Sequence, residues 1–216
     1  MCIRDRTKGA KLIIQNGLGL EAWISKFMMS AGDIPKVNLT DGIKPLLIEE
    51  DAYAGKPNPH AWMSPKKAMH YVDRLADAFI KIDPEGGLEY KSNASTYKAK
   101  LELLDKELRD SLSLIPKERR FLVTCEGAFT YLARDYGMEE GYLWPVNSES
   151  QVTPRRMVDL IKTIKENKVP TIFCESTVSA EAQMEVAKSS GAVFGGTFYV
   201  DSVSYTHLTL PTICSV

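Results

Sequence analysis

The chain has 216 residues, of which 44% are hydrophobic and 25% charged, with a formal net charge of -1 and a pI near 6.3. This is ordinary globular usage, enough for one large domain or two small lobes, and it carries no basic footprint for nucleic acid and no apolar run long enough to span a bilayer. Met1 to Arg6 lack the apolar stretch and cleavage site of a secretory signal, so the sequence read literally would stay in the cytoplasm. The four cysteines, Cys2, Cys125, Cys174 and Cys214, form no CxxC pair. Cys125 and Cys174 each end an apolar run, a pattern that favours buried free thiols over a disulfide or metal ligands.

Ala10 to Gln15 reads as a short strand, broken at Asn16-Gly17 and followed by a helix from Leu20 to Met29 with Leu20, Trp23, Ile24 and Phe27 on one face. Gly17 and Gly19 lack the third glycine of a dinucleotide fingerprint and read as a turn. Val37 to Leu39 is a second short strand, and Glu49 to Pro57 a polar loop leading to Asn58-Pro59-His60-Ala61-Trp62-Met63-Ser64-Pro65. There a single imidazole is stiffened by Pro59 and precedes a helix start in which Ser64 caps and Pro65 fills the first turn. His60 either ligates a metal or fills a gap beside Trp62.

The helix from Pro65 to Ile82 carries an apolar stripe of Ala68, Val72, Leu75, Ala76 and Phe79, stops at Asp83-Pro84, and leaves His70 as a surface histidine. The longest periodic segment follows, Asn93 to Ser113, with Tyr97, Leu101, Leu104, Leu108 and Leu112 at helical spacing. Such a helix is about 30 Å long, enough to join two lobes as a spine. Beyond Pro116 strands and helices alternate. Strands at Phe121 to Cys125, Gly141 to Trp144, Thr171 to Cys174 and Val193 to Val200 are separated by helices at Ala128 to Tyr136, from Thr153-Pro154 onward, and at Ser179 to Ser189. This predicts a parallel sheet covered by helices.

Ligands of open parallel sheets bind beyond the carboxyl ends of the strands, where Glu126, Glu175 and Asp201 fall. With His60 they form a set of hard oxygen donors plus one imidazole, suited to manganese or iron(II). Glu175 precedes a helix and serves equally well as its cap.

On Asn58-Pro59-His60-Ala61-Trp62, Thr124-Cys125-Glu126-Gly127-Ala128-Phe129, Arg134-Asp135-Tyr136-Gly137, Thr153-Pro154, Cys174-Glu175-Ser176-Thr177-Val178 and Tyr199-Val200-Asp201-Ser202, the chain resembles the metal-binding solute-binding proteins of manganese, iron and zinc ABC transporters. The resemblance implies two α/β lobes joined by a rigid long helix, with the metal held between them by His60, Glu126 and Asp201 and with Glu175 orienting a ligand or donor. It further implies an extracytoplasmic protein, periplasmic or lipid-anchored, that acts as a monomer, catalyses no reaction and delivers manganese or iron(II), with zinc also able to bind, to a membrane permease. Segments 1–6 and 204–216 have no counterpart in the family pattern. The expected organisation is then an N-terminal lobe remnant over 7–87, a spine helix over 88–116 and a C-terminal α/β lobe over 117–203. Most of the family's first lobe, with its first histidine ligand, has no counterpart in this sequence. Two other readings are a metal-dependent hydrolase on the same residues, with Glu126 or Glu175 as base, and a surface adhesion module, which requires a large exposed apolar patch where this chain's apolar residues fall in core-like periods.

Overall fold

The computed structural model describes residues 9–22, 34–49, 53–146 and 152–200. It is an α/β structure in which, among the described residues, every ladder between two strands is parallel. β1 (Ile13–Gln15) pairs with β2 (Lys36–Asn38), and between them Gly17 and Gly19 take positive φ angles of 90° and 86°. A Cβ on Gly17 would strike the Thr40 hydroxyl, and the backbone N–H groups of Asn16 and Gly17 donate to the Glu21 carboxylate, so this glycine pair is a turn. The helix expected from Leu20 to Met29 falls largely outside the described residues.

α1 (Pro65–Ile82) begins with proline in its first turn and ends at Asp83, as its sequence dictates. Ser64 occupies the cap position with extended backbone, but its hydroxyl does not cap: it donates to Asp135 Oδ2 at 2.5 Å. A carboxylate offers this buried hydroxyl a stronger, charged acceptor, so Ser64 fastens the start of α1 to a later helix. His70 Nε2 donates to the Asp41 carbonyl, 2.8 Å away, on the surface.

α2 (Gly87–Ser113) is the spine helix, starting six residues earlier than its apolar periodicity suggests. Its first half lies against α1, with Tyr90 and Phe79 rings 5.4 Å apart and Lys98 bonded to Asp73. Its second half reaches α3 (Thr130–Tyr136), where Tyr136 donates to Asp105 and Arg109 covers the Tyr136 ring. The stripe is only partly covered: Leu104 is 43% exposed, and Leu103, off the stripe, 63%.

β3 (Phe121–Glu126) pairs in register with β4 (Glu139–Trp144), while β5 (Thr171–Glu175) pairs with β6 (Val193–Phe198). α4 (Pro154–Glu166) is capped by Thr153 Oγ1, which accepts from the Arg156 N–H, and α5 (Glu181–Ser190) ends at Gly191 in the left-handed conformation. Val123, Leu143, Trp144, Ile164, Ile172 and Val186 form the main core under these helices, where burying each large side chain contributes roughly 1.5 to 3 kcal/mol. Phe129, Phe173 and Phe198 stack in a second cluster near the strand ends.

β3 also lies against β5, and there the expectation of free thiols is overturned. Cys125 and Cys174 are fully buried, as expected, but they are joined in a disulfide with Cα atoms 4.8 Å apart. Each cysteine is next to last in its strand, so once β3 and β5 become neighbours the two residues face one another within bridging distance.

Candidate metal centre

Glu126 and Glu175 terminate β3 and β5, so the parallel arrangement delivers both carboxylates to one end of the strand layer. Both are buried, Glu126 at 6% and Glu175 at 2% exposure. The Glu126 N–H donates to Glu175 Oε2 at 3.2 Å, so Glu175 supports Glu126 through its backbone. Burial pushes the Glu175 carboxyl up to about 8, and the adjacent Glu126 charge adds to the effect.

His60 arrives from the other side. It precedes a single 3-10 turn, Ala61–Met63, is 4% exposed, and places Nε2 3.6 Å from Glu126 Oε1. Asn58 fixes its ring. Asn58 Oδ1 accepts from the His60 backbone N–H at 3.0 Å and lies 2.9 Å from His60 Nδ1, while Asn58 Nδ2 donates to the Gly127 carbonyl and to Thr130 Oγ1. Because that oxygen accepts from a backbone N–H, Nδ1 must be the protonated ring nitrogen. Burial pushes the imidazole down to about 4, so it is neutral near pH 7 and Nε2 carries a lone pair. The close approach to Glu126 is therefore no ion pair: a lone pair faces a carboxyl oxygen.

Trp62 connects a third point. Its Nε1 donates to the carbonyl of Val200 at 3.2 Å, and its ring lies 5.1 Å from that of His60. Asp201, the next residue, lies outside the described residues. Thus His60, Glu126 and Glu175 come together, and the segment that leads to Asp201 is held to the same turn. Sequence reasoning missed the role of Asn58. Its position two residues before His60, across a proline, is the available signal, since Asn and Asp bond readily to backbone two residues on.

The donor set fits a divalent cation. Two ligands bound to one ion at about 2.1 Å each lie roughly 3 to 3.5 Å apart, near the observed separation.

Comparison with known proteins gives the same direction. The family model for zinc-uptake complex component A, periplasmic, matches residues 4–209. The chain is 46% identical over 211 residues to the iron-binding protein YfeA of Yersinia pestis, covering 98% of this chain and 68% of that protein. It is 32% identical to the manganese ABC transporter substrate-binding lipoprotein PsaA of Streptococcus pneumoniae, over 92% of this chain and 66% of the relative. The chain thus spans about two thirds of the length of the curated relatives it matches. Among solved structures it superposes on a manganese-bound periplasmic metal-binding protein from Candidatus Liberibacter asiaticus with a TM-score of 0.86 and 36% identity, covering 94% of this chain and 75% of that one. The periplasmic zinc-binding protein TroA of Treponema pallidum superposes with a TM-score of 0.84 and 28% identity, over 94% and 75% of the two chains.

Proposed function

The chain belongs to the family of zinc-uptake complex component A and the metal-binding ABC transporter proteins, and from that premise we propose that it captures a divalent transition metal outside the cytoplasm and hands it to the permease of an ABC importer. The metal is cargo. His60 donates through Nε2 and Glu126 through a carboxylate oxygen, Asp201 supplies a further carboxylate, and Glu175 holds the Glu126 backbone in place. The chain works as a monomer whose segments before and after α2 act as two lobes around the ion, over 7–87 and 117–203.

The observation that carries this reading is the lone pair of His60 Nε2 facing Glu126 Oε1 at 3.6 Å in a buried place. Two electron-rich atoms so arranged favour a cation between them. One imidazole with several carboxylates is a hard donor set, which suits manganese or iron(II) more than a dedicated zinc site, although zinc binds such sites tightly in vitro.

Calorimetric titration of the metal-stripped chain with manganese tests this. Binding at one ion per chain is expected, with a loss of more than tenfold in affinity on His60→Ala and on Glu126→Ala. Unchanged affinity in both variants overturns the ligand assignment, and metal-dependent ester or phosphoester turnover abolished by His60→Ala would establish the hydrolase instead.

A further inference from the structure

Cys125 Sγ, Cys174 Sγ and a carboxylate oxygen of Glu175 all lie within 4.8 Å of one another, and all three residues are buried. Glu175 uses one oxygen to accept from the Glu126 N–H, but its other oxygen, Oε1, is buried with no hydrogen-bond partner. A buried carboxylate with one unpartnered oxygen, set within 4.8 Å of two sulfurs, is an unusual neighbour for a purely structural disulfide, since buried polar atoms are normally satisfied. While the sulfurs are bonded to each other, neither is available as a thiolate.

We propose that Cys125, Cys174 and Glu175 form a second metal site, distinct from the His60 and Glu126 pair, which exists only when the disulfide is reduced and which takes a soft divalent cation, zinc or cadmium. The disulfide then acts as a mask: it withdraws two soft donors from the neighbourhood of a hard-donor cargo site. In a tetrahedral site with metal–sulfur bonds of about 2.3 Å, two thiolates lie about 3.8 Å apart. Two sulfurs released from their bond on neighbouring strands settle at about that van der Waals separation, and the carboxylate is already within reach. The reduction consumes a dithiol, which gives two electrons and two protons to the Cys125–Cys174 bond and closes its own disulfide. The cation then displaces the two thiol protons and the Glu175 carboxyl proton, all three passing to solvent, and forms two metal–sulfur bonds and one metal–oxygen bond to Glu175, with a fourth position left for water. Thiolates select such ions over manganese, so the two redox forms of the chain differ in which metals they hold.

The test uses the full chain carrying Cys2→Ser and Cys214→Ser, so that only these two thiols count. It is reduced with a water-soluble phosphine, which leaves as its oxide, desalted without air and titrated with cadmium. The reduced chain should bind one more cadmium per chain than the oxidised chain, show the ultraviolet thiolate-to-cadmium charge-transfer band, and melt at higher temperature with cadmium present, a shift that binding to unfolded thiols would not give. The extra ion should persist in His60→Ala, weaken at least tenfold in Glu175→Gln, and disappear with its band in Cys125→Ser. Equal cadmium uptake by both redox forms, or a band without thermal stabilisation, overturns the second site. Neither outcome touches the cargo reading, which stands or falls on manganese binding by the oxidised chain.

Discussion

Asn58 is the residue whose removal should cost most for its size. Asn58→Ala frees the His60 ring to rotate and to change tautomer, and it removes the shorter of the two hydrogen bonds to the Gly127 carbonyl, leaving only that from Thr130 Oγ1. Loss of a partner that orients a metal ligand typically lowers affinity by about 10- to 100-fold. Manganese titration of Asn58→Ala should show a loss in that range, whereas Asn58→Asp, which keeps the acceptor for Nδ1, should lose less. Glu140 gives a pH prediction away from the metal. Burial pushes its carboxyl up to about 7, and one of its oxygens, Oε1, has no partner. The folded state therefore holds this proton more tightly than the unfolded chain. The stabilisation is fully present below pH 4.5 and is lost as pH rises through about 7. Glu140→Gln removes that loss, so the metal-stripped variant should gain about 1 to 3 kcal/mol over the parent at pH 8 and little or nothing at pH 5, read by denaturant melts.

At the scale of elements, the disulfide between β3 and β5 closes a loop with a sequence separation of 49. Loop-closure entropy alone puts its contribution at about 4 kcal/mol, with native-state effects usually reducing the value realised. The double variant Cys125→Ser, Cys174→Ser should lose about 2 to 4 kcal/mol in chemical denaturation. Much of the fold was legible beforehand because its punctuation is local: Thr153-Pro154 starts α4, Gly137 and Gly191 end α3 and α5, and the alternation after Pro116 requires parallel strands. That Glu126 and Glu175 share one end of the strand layer was legible because each closes an apolar strand of the same direction. The cysteine pairing was not, since two residues 49 apart become partners only once the strand order places β3 beside β5. Ser64 misled for a similar reason: its local preference to cap was overridden by Asp135, which is 71 residues away in sequence.

At the scale of the whole molecule, buried hydrogen bonds join the segment before α2 to the one after it. Tyr131, 1% exposed, accepts from the Leu46 N–H and donates to the Asn58 carbonyl. Tyr131→Phe leaves a backbone donor and acceptor without partners while preserving shape, which should cost about 1 to 3 kcal/mol of stability. Thermal melting of the variant checks this, and a change under 0.5 kcal/mol would mean that water replaces the hydroxyl. Manganese affinity should fall at the same time, because the displaced carbonyl belongs to Asn58.

The Asn58 amide holds the His60 ring with its oxygen and the carbonyl next to Glu126 with its nitrogen. One planar group a few ångströms across therefore sets the spacing of two donors that come from opposite sides of α2. Any hinge motion wide enough to separate them must first break bonds at both ends of that amide, in a buried place where each unpaired group costs about 1 to 3 kcal/mol. Such a toll falls on the escape of the ion rather than on its arrival. The expected signature is kinetic: a long residence time for manganese, shortened in Asn58→Ala far more than the association rate changes, so that on the proposed reading a permease would have to prise apart what a single asparagine side chain keeps together.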